Sequence, residues 1–226
     1  MRQVVGESKS AVEGSAAGGC AVLIAIVDYG MGNLGSILNM LERVGATARI
    51  SGNADEIAQA DRVILPGVGA FDTGMQNLSD AGLIQVLTRV AHSGIPVLGI
   101  CLGMHVIMER SEEGSLPGLG WVKGEVIRFR FAPQGANLRV PHMGWNTVTL
   151  QREDPLLAGS DADRRFYFVH SFHVVCSNPS DVVGTTEYGY LFPSVLRHGN
   201  IMGTQFHPEK SHRFGMQLLD NFARLT

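Results

Sequence analysis

Little of this chain is charged, and none of it is strongly basic. Only 17% of its 226 residues are Asp, Glu, Lys or Arg, and the net charge is −3. That balance gives no electrostatic basis for gripping nucleic acid or an anionic membrane. Cysteine is scarce as well. Cys20, Cys101 and Cys176 are too few for a disulfide framework, and a reactive thiol among them suits a reducing cytoplasm. Long apolar runs are missing: residues 21–27 fall far short of the roughly 20 residues a membrane span requires, and the run stops at Asp28. A secretory signal places its apolar stretch before a small-residue cleavage site, and here that order is reversed. No internal repeat is visible. Asp28-Tyr29-Gly30-Met31-Gly32-Asn33 is glycine-rich but matches neither GxGxxG nor a P-loop, so no nucleotide is expected there.

What is present is enough apolar material, 45% of residues, for a full core. Residues 1–20 are rich in Gly, Ala and Ser without apolar periodicity and read as a flexible leader; residues 21–226 read as one domain. Strands and helices then alternate, which predicts an α/β fold: a mostly parallel open sheet with helices on both faces, and antiparallel additions in the C-terminal half. Strands are expected at 21–27, 46–50, 62–65 and 97–100. Asn33 is placed to cap a helix with the stripe Leu34, Ile37, Leu38, Leu41 and Val44, ending at Gly45. Further helices are expected at 54–60 and 83–90. Beyond Gly114, short strand candidates fall at 121–130, 146–150, 164–169, 182–187, 194–197 and 201–206, followed by a helix over 211–225 with Phe214, Leu218, Leu219, Phe222 and Leu225 on one stripe.

Two motifs carry chemistry. Gly99-Ile100-Cys101-Leu102-Gly103 follows an apolar strand and precedes a helix-like stretch running to about Glu109. That is a nucleophile elbow with cysteine at its tip, flanked by the glycines that let the backbone bend. Only the thiolate attacks, and a helix start behind Cys101 favours the anion. Gln205-Phe206-His207-Pro208-Glu209 supplies a base and a carboxylate. The position before proline is biased toward extended backbone, and extended residues i and i+2 face one side, so Glu209 can orient His207. Cys101, His207 and Glu209 together predict acyl transfer by a Cys-His-Glu triad.

Other groups are weighed beside it. Pro66-Gly67-Val68-Gly69 closes a sheet strand where open α/β sheets place ligands, and with the amide of Leu102 it is a candidate oxyanion hole. His170 and His173, three apart on one expected strand, point to opposite faces and make poor co-ligands, so no metal and no cofactor is expected. Pro141-His142-Met143-Gly144-Trp145-Asn146 reads as an accessible loop whose Met and Trp form an interaction surface.

These residues resemble the class I glutamine amidotransferases, and within them the glutaminase subunits of imidazole glycerol phosphate synthases. The resemblance spans about residues 22–225. Its markers are residues 28–33, 66–71, 99–104, 141–146, 167–171 and 205–211. It implies that Cys101 attacks the carboxamide of L-glutamine, that His207 moves protons, and that Glu209 orients it. It places Gly67 in the oxyanion region, with His105, His170, Ser171 and Phe172 against the substrate. It implies a cytoplasmic heterodimer with a (β/α)8-barrel cyclase subunit that uses the ammonia in histidine biosynthesis, and puts Asn33, Trp145 and Lys210 at the docking face. Two positions depart from the family. His105 stands where Gln is usual, which predicts altered glutamine affinity rather than lost chemistry, and Phe172 stands where Tyr is common. The tail 209–216 also resembles a paralogous branch that supplies ammonia for acetamidino groups on surface sugars. A weakly catalytic scaffold for a barrel partner is a further alternative. A dienelactone-type cysteine hydrolase fits poorly, because its acid normally precedes the histidine.

Overall fold

Alternation within the strands sets the architecture. The computed structural model describes residues 22–131, 138–159 and 163–225, so the expected leader lies outside the described residues. Strand β1 (Leu23–Val27) buries Ala25 and Val27 on one side and Ile24 and Ile26 on the other. The same two-residue period recurs in β3 (Arg62–Gly67) and β4 (Val97–Cys101), where Val63, Leu65 and Val97 face one layer and Ile64, Leu98 and Ile100 the other. Strands buried on both faces read as continuous apolar runs, as parallel strands do.

Helix α1 (Leu34–Arg43) follows β1 and is capped by the Asn33 side chain, which accepts from the Ser36 amide at 3.4 Å. Next come β2 (Thr47–Ser51) and α2 (Ala54–Ala58), then β3, α3 (Phe71–Asp80), α4 (Ile84–His92), β4 and α5 (Leu102–Val106). The C-terminal half holds β5 (Arg110–Ser111), β6 (Gly124–Arg128), β7 (His142–Thr147), β8 (Thr149–Leu150), β9 (Arg165–His170), β10 (Phe172–Cys176), β11 (Val182–Glu187), β12 (Leu191–His198), β13 (Ile201–Thr204) and α6 (His212–Ala223). The main sheet runs β2-β1-β3-β4-β13-β12-β11-β8. Pairing is parallel from β2 to β13 and antiparallel from β13 to β8. Helices α2, α3, α4 and α5 cover one face, while α1 and α6 cover the other. This is the expected fold class. Phe166 and Phe206, both fully buried, stack at 3.9 Å on the α6 side, and each such ring contributes about 1.5–3 kcal/mol by burial. Arg62 closes that layer by donating to the carbonyls of Phe222 and Leu225 at the end of α6. No described helix is long and apolar enough to cross a membrane.

Several local expectations need correction. The helix after Cys101 is five residues long and stops at Val106, well before Glu109. The chain folds back on it: amides of Leu119, Gly120, Trp121 and Val122 take the carbonyls of Val106, Ile107 and Met108. Residues 141–146 are no loop. From His142 they form β7, paired with β9 in a separate two-stranded ribbon. Met143 and Trp145 remain exposed because they alternate outward while His142 turns inward. The strand expected at 146–150 is split between β7 and β8. His170 and His173 sit on different strands, with Ser171 turning the chain between them. Helix α3 and strands β5 and β10 were not foreseen.

Candidate active site

Register assembles the site. Cys101 ends β4 opposite Gly67 of β3, and Thr204 of β13 pairs with Ile100. The next residue of that chain, Gln205, therefore arrives beside Cys101 from 104 residues away. The carboxyl ends of three parallel strands thus bring the glycine, the thiol and the Gln205–Glu209 segment together, where open α/β sheets bind ligands.

Cys101 has φ 53° and ψ −106°, a conformation that L side chains rarely adopt and that costs on the order of 1–3 kcal/mol. Close backbone contacts impose it. A Cβ on Gly99 would lie 2.6 Å from the Gly103 carbonyl oxygen, and one on Gly103 would collide with the carbonyl of Leu65. Both glycines of the elbow are therefore required by space. The Leu102 amide opens α5 directly behind the sulfur.

His207 has extended backbone, φ −103° and ψ 98°, and Pro208 starts the short turn that carries Glu209. His207 Nδ1–H donates to Glu209 Oε1 at 2.8 Å, with both side chains buried. The turn is fixed to β9: the His207 amide donates to the Tyr167 carbonyl, and Ser211 Oγ–H to the His207 carbonyl at 2.6 Å. Burial works against a charged imidazole, but hydrogen bonding and charge from Cys101 and Glu209 outweigh it and raise its pKa to about 10. Among the described residues, His207 Nε2 has no hydrogen-bond partner of regular geometry. An imidazolium beside a thiol favours the thiolate. Such an arrangement can attack a carbonyl carbon and return a proton to a leaving group.

A cleft of about 460 Å³ opens on this pair, lined by Cys101, Leu102, His105, His170, Ser171, Phe172, His207 and Lys210 among others. Gly67 is not in its wall; the neighbours Val68 and Gly69 are. Gly67 instead packs between Tyr29 and Leu102, where a Cβ would meet the Tyr29 hydroxyl at 2.6 Å. Tyr29 O–H donates to the Pro66 carbonyl at 2.7 Å, so residues 28–33 lie against this strand end, with Asn33 exposed beside it. Trp145 lies outside the cleft, stacked on His212 at 5.5 Å. Lys210 sits on the rim with its ammonium 5.9 Å from the centre of the Tyr167 ring.

Two expected substrate contacts are already engaged. His170 Nδ1–H donates to the Phe172 carbonyl at 2.8 Å, so its Nε2 is an acceptor, filled by His142 Nδ1–H at 2.9 Å. His142 Nε2 in turn accepts from Asn146 Nδ2 at 3.2 Å. A carbonyl can only accept, which fixes every tautomer in the chain. Burial lowers the pKa of His142 to about 4 and holds His170 well below the usual histidine range. His105 Nε2 faces Gln205 Oε1 at 2.9 Å and is also held neutral by burial, with a pKa of about 4. Two polar groups were missed. Gln205 has no motif role by itself, and Glu113 lines the cleft while its Oε2 accepts from the Phe71 amide at 3.1 Å. The signal for Glu113 was a short acidic pair, Glu112-Glu113, after the elbow helix. Among the described residues, no three His, Cys, Asp or Glu side chains cluster as a metal site requires.

The family described as glutamine amidotransferase class-I matches residues 25–225. Over 205 residues the chain is 50% identical to imidazole glycerol phosphate synthase subunit HisH 2 of Pseudomonas aeruginosa, covering 90% of this chain and 100% of that one. It is 46% identical to subunit HisH 2 of Methanococcus maripaludis, covering 89% and 99%. Among solved structures it resembles PurLQS from Thermotoga maritima, with TM-score 0.68, 18% identity and coverage of 89% of this chain and 97% of that one. A glutamine amidotransferase from Thermotoga maritima gives TM-score 0.59 at 17% identity, covering 85% and 78%. At such identity the two structures speak for the fold. The sequence matches speak for more, and the chain belongs to the class-I glutamine amidotransferase family.

Proposed function

We propose that this chain is the glutaminase subunit of an imidazole glycerol phosphate synthase, hydrolysing L-glutamine to glutamate and ammonia through a thioester on Cys101. The ammonia passes to a (β/α)8-barrel cyclase subunit that forms imidazole glycerol phosphate and AICAR in histidine biosynthesis, in the cytoplasm. The observation that carries the reading is Cys101, held in left-handed backbone at a strand end, sharing one cleft with a His207 bonded to Glu209. Half of the residues matched in a relative named as such a subunit support the same assignment.

The steps follow from these groups. The Cys101 thiolate attacks the carboxamide carbon, a C–S bond forms, and the carbonyl electron pair moves to oxygen. The Leu102 amide and the backbone near Gly67 receive that oxyanion; losing one such donor costs about 3–4 kcal/mol of transition-state stabilisation. His207 gives its proton to the leaving nitrogen, the C–N bond breaks and ammonia departs. Water then attacks the thioester, passing a proton to His207 as sulfur leaves. Glu113 offers a carboxylate to the α-ammonium of glutamine, and Ser171 and Phe172 border its other end. Because both ring nitrogens of His170 are engaged, its part is to hold the wall. Met143 and Trp145, exposed on one side of β7, together with Lys210 and Asn33 form the face offered to the barrel.

The test is ammonia release from glutamine by this chain alone, with a barrel cyclase, and with that cyclase and its acceptor. Low resting activity, stimulation by the barrel and loss in Cys101→Ala are expected. Full-rate hydrolysis by Cys101→Ala overturns the chemistry. Stimulation only by a partner that amidates a surface sugar moves the chain to the paralogous branch.

A further inference from the structure

We infer that His105 serves the nucleophile rather than the substrate: its ring holds the Gln205 carboxamide with the N–H side turned onto the Cys101 sulfur, making Gln205 a positioning donor to the thiolate. The inference rests on Cys101 being the nucleophile, as proposed above.

Gln205 is fully buried and His105 nearly so. Gln205 Oε1 lies 2.9 Å from His105 Nε2, and Gln205 Nε2 lies 4.0 Å from Cys101 Sγ. A carboxamide can be turned either way about its last torsion, so its orientation must be read from its partners. A neutral imidazole presents Nε2 either as N–H or as a lone pair. With the oxygen toward His105, Nε2 carries the hydrogen and donates, and both amide hydrogens are left for the sulfur side. Turned the other way, the amide would aim its lone pairs at a developing thiolate, which is repulsive. The sulfur therefore selects the orientation, and the ring takes the tautomer that holds it. Burial keeps His105 neutral through physiological pH, so it adds no positive charge that would compete with His207.

The main chain leaves Gln205 few alternatives. Its amide donates to the Ser194 carbonyl at 2.9 Å, and parallel pairing one residue earlier fixes its position beside Cys101. A rigid imidazole, with two side-chain torsions, holds the far end of the carboxamide more firmly than a flexible chain does. The His105 nitrogen that meets the carboxamide is thus committed to Gln205. Donors to an anion strengthen as charge develops, so a long contact to the thiol becomes useful in the thiolate.

The experiment is the rate of Cys101 alkylation by iodoacetamide against pH, in the full-length chain, with glutamine kinetics measured in the barrel complex. Gln205→Glu, which swaps the donor for a carboxylate oxygen, is expected to move the alkylation midpoint up by about one pH unit, roughly tenfold in thiolate fraction below it. His105→Phe, which keeps a ring and removes the donor, is expected to move it the same way by about half a unit and to lower kcat more than it raises KM. His105→Gln, which restores an N–H, is expected to bring the midpoint back toward the parent value. Should Gln205→Glu fail to fold, the two His105 variants decide the matter alone. An unmoved midpoint in His105→Phe with a raised glutamine KM makes His105 a substrate ligand and overturns the inference. A parent Cys101 that alkylates no faster than Cys176 overturns instead the nucleophile assignment on which it rests.

Discussion

His207 and the pair His142–His170 are buried to a similar degree, within one molecule and around one cleft. Their protonation is nevertheless opposite. Beside Glu209 and Cys101, the imidazole of His207 is held charged, with a pKa raised to about 10. Among Phe129, Phe168, Tyr188 and Phe192, His142 and His170 face no carboxylate, and burial holds them neutral. Desolvation is the largest influence at all three and acts in the same direction. The Cys101 sulfur and the Glu209 carboxylate, acting by hydrogen bond and charge, decide the sign. The donor direction agrees: protonating His142 or His170 would set two N–H groups against each other in a chain that has room for one.

The contrast can be broken first at its charged end. Glu209→Gln removes the counter-charge and keeps the shape, so the raised pKa of His207 should fall and glutamine turnover should drop by roughly 10²–10⁴-fold; steady-state kinetics and imidazole NMR titration check this. Next, the neutral end can be given what it lacks. Asn146→Asp places a carboxylate where Asn146 Nδ2 now lies 3.2 Å from His142 Nε2, and the His142 pKa should climb from about 4 by about 1–3 units. A titration that leaves His142 where it was would show that burial alone governs the site. His142→Phe should destabilise the fold by about 1–3 kcal/mol in urea denaturation, because His170 Nε2 is left a buried acceptor without a donor. The gentlest test is stability against pH. His207, raised in the folded state, contributes stability that is fully present below its unfolded pKa of about 6.5 and is lost as pH rises through about 10. His105 and His142, lowered, contribute stability present above about 6.5 and lost as pH falls through about 4. Glu209→Gln should flatten only the alkaline limb, and His142→Phe only the acid one.

The parallel half of the fold was legible because its strands are buried on both faces and therefore show as unbroken apolar runs. The antiparallel half was harder. Gly144 and the proline at 141 imitate a turn, yet Gly144 is accommodated in β7 with φ 132°. Helix α3 escaped notice because Gly74 and polar neighbours dilute its stripe of Phe71, Met75 and Leu78. Gly74 is there for packing: a Cβ on it would lie 3.1 Å from Leu102 Cδ2 of α5. The Cys101, His207 and Glu209 motifs were legible since two short segments carry all three. The partnership of Gln205 with His105 was not, since it exists only where β13 aligns with β4. Nor was the engagement of His170, which depends on a ribbon that the sequence presents as a loop.

The tight meeting of Gly99, Gly103 and the Leu65 carbonyl has a consequence for how this enzyme tolerates mutation. The backbone turn that carries the sulfur is held by main chain meeting main chain. Trimming methyl groups from the surrounding interior should shorten the working life of the protein at high temperature while leaving per-molecule turnover nearly intact. Durability and aim are therefore free to drift apart, except at two glycines where they are one property.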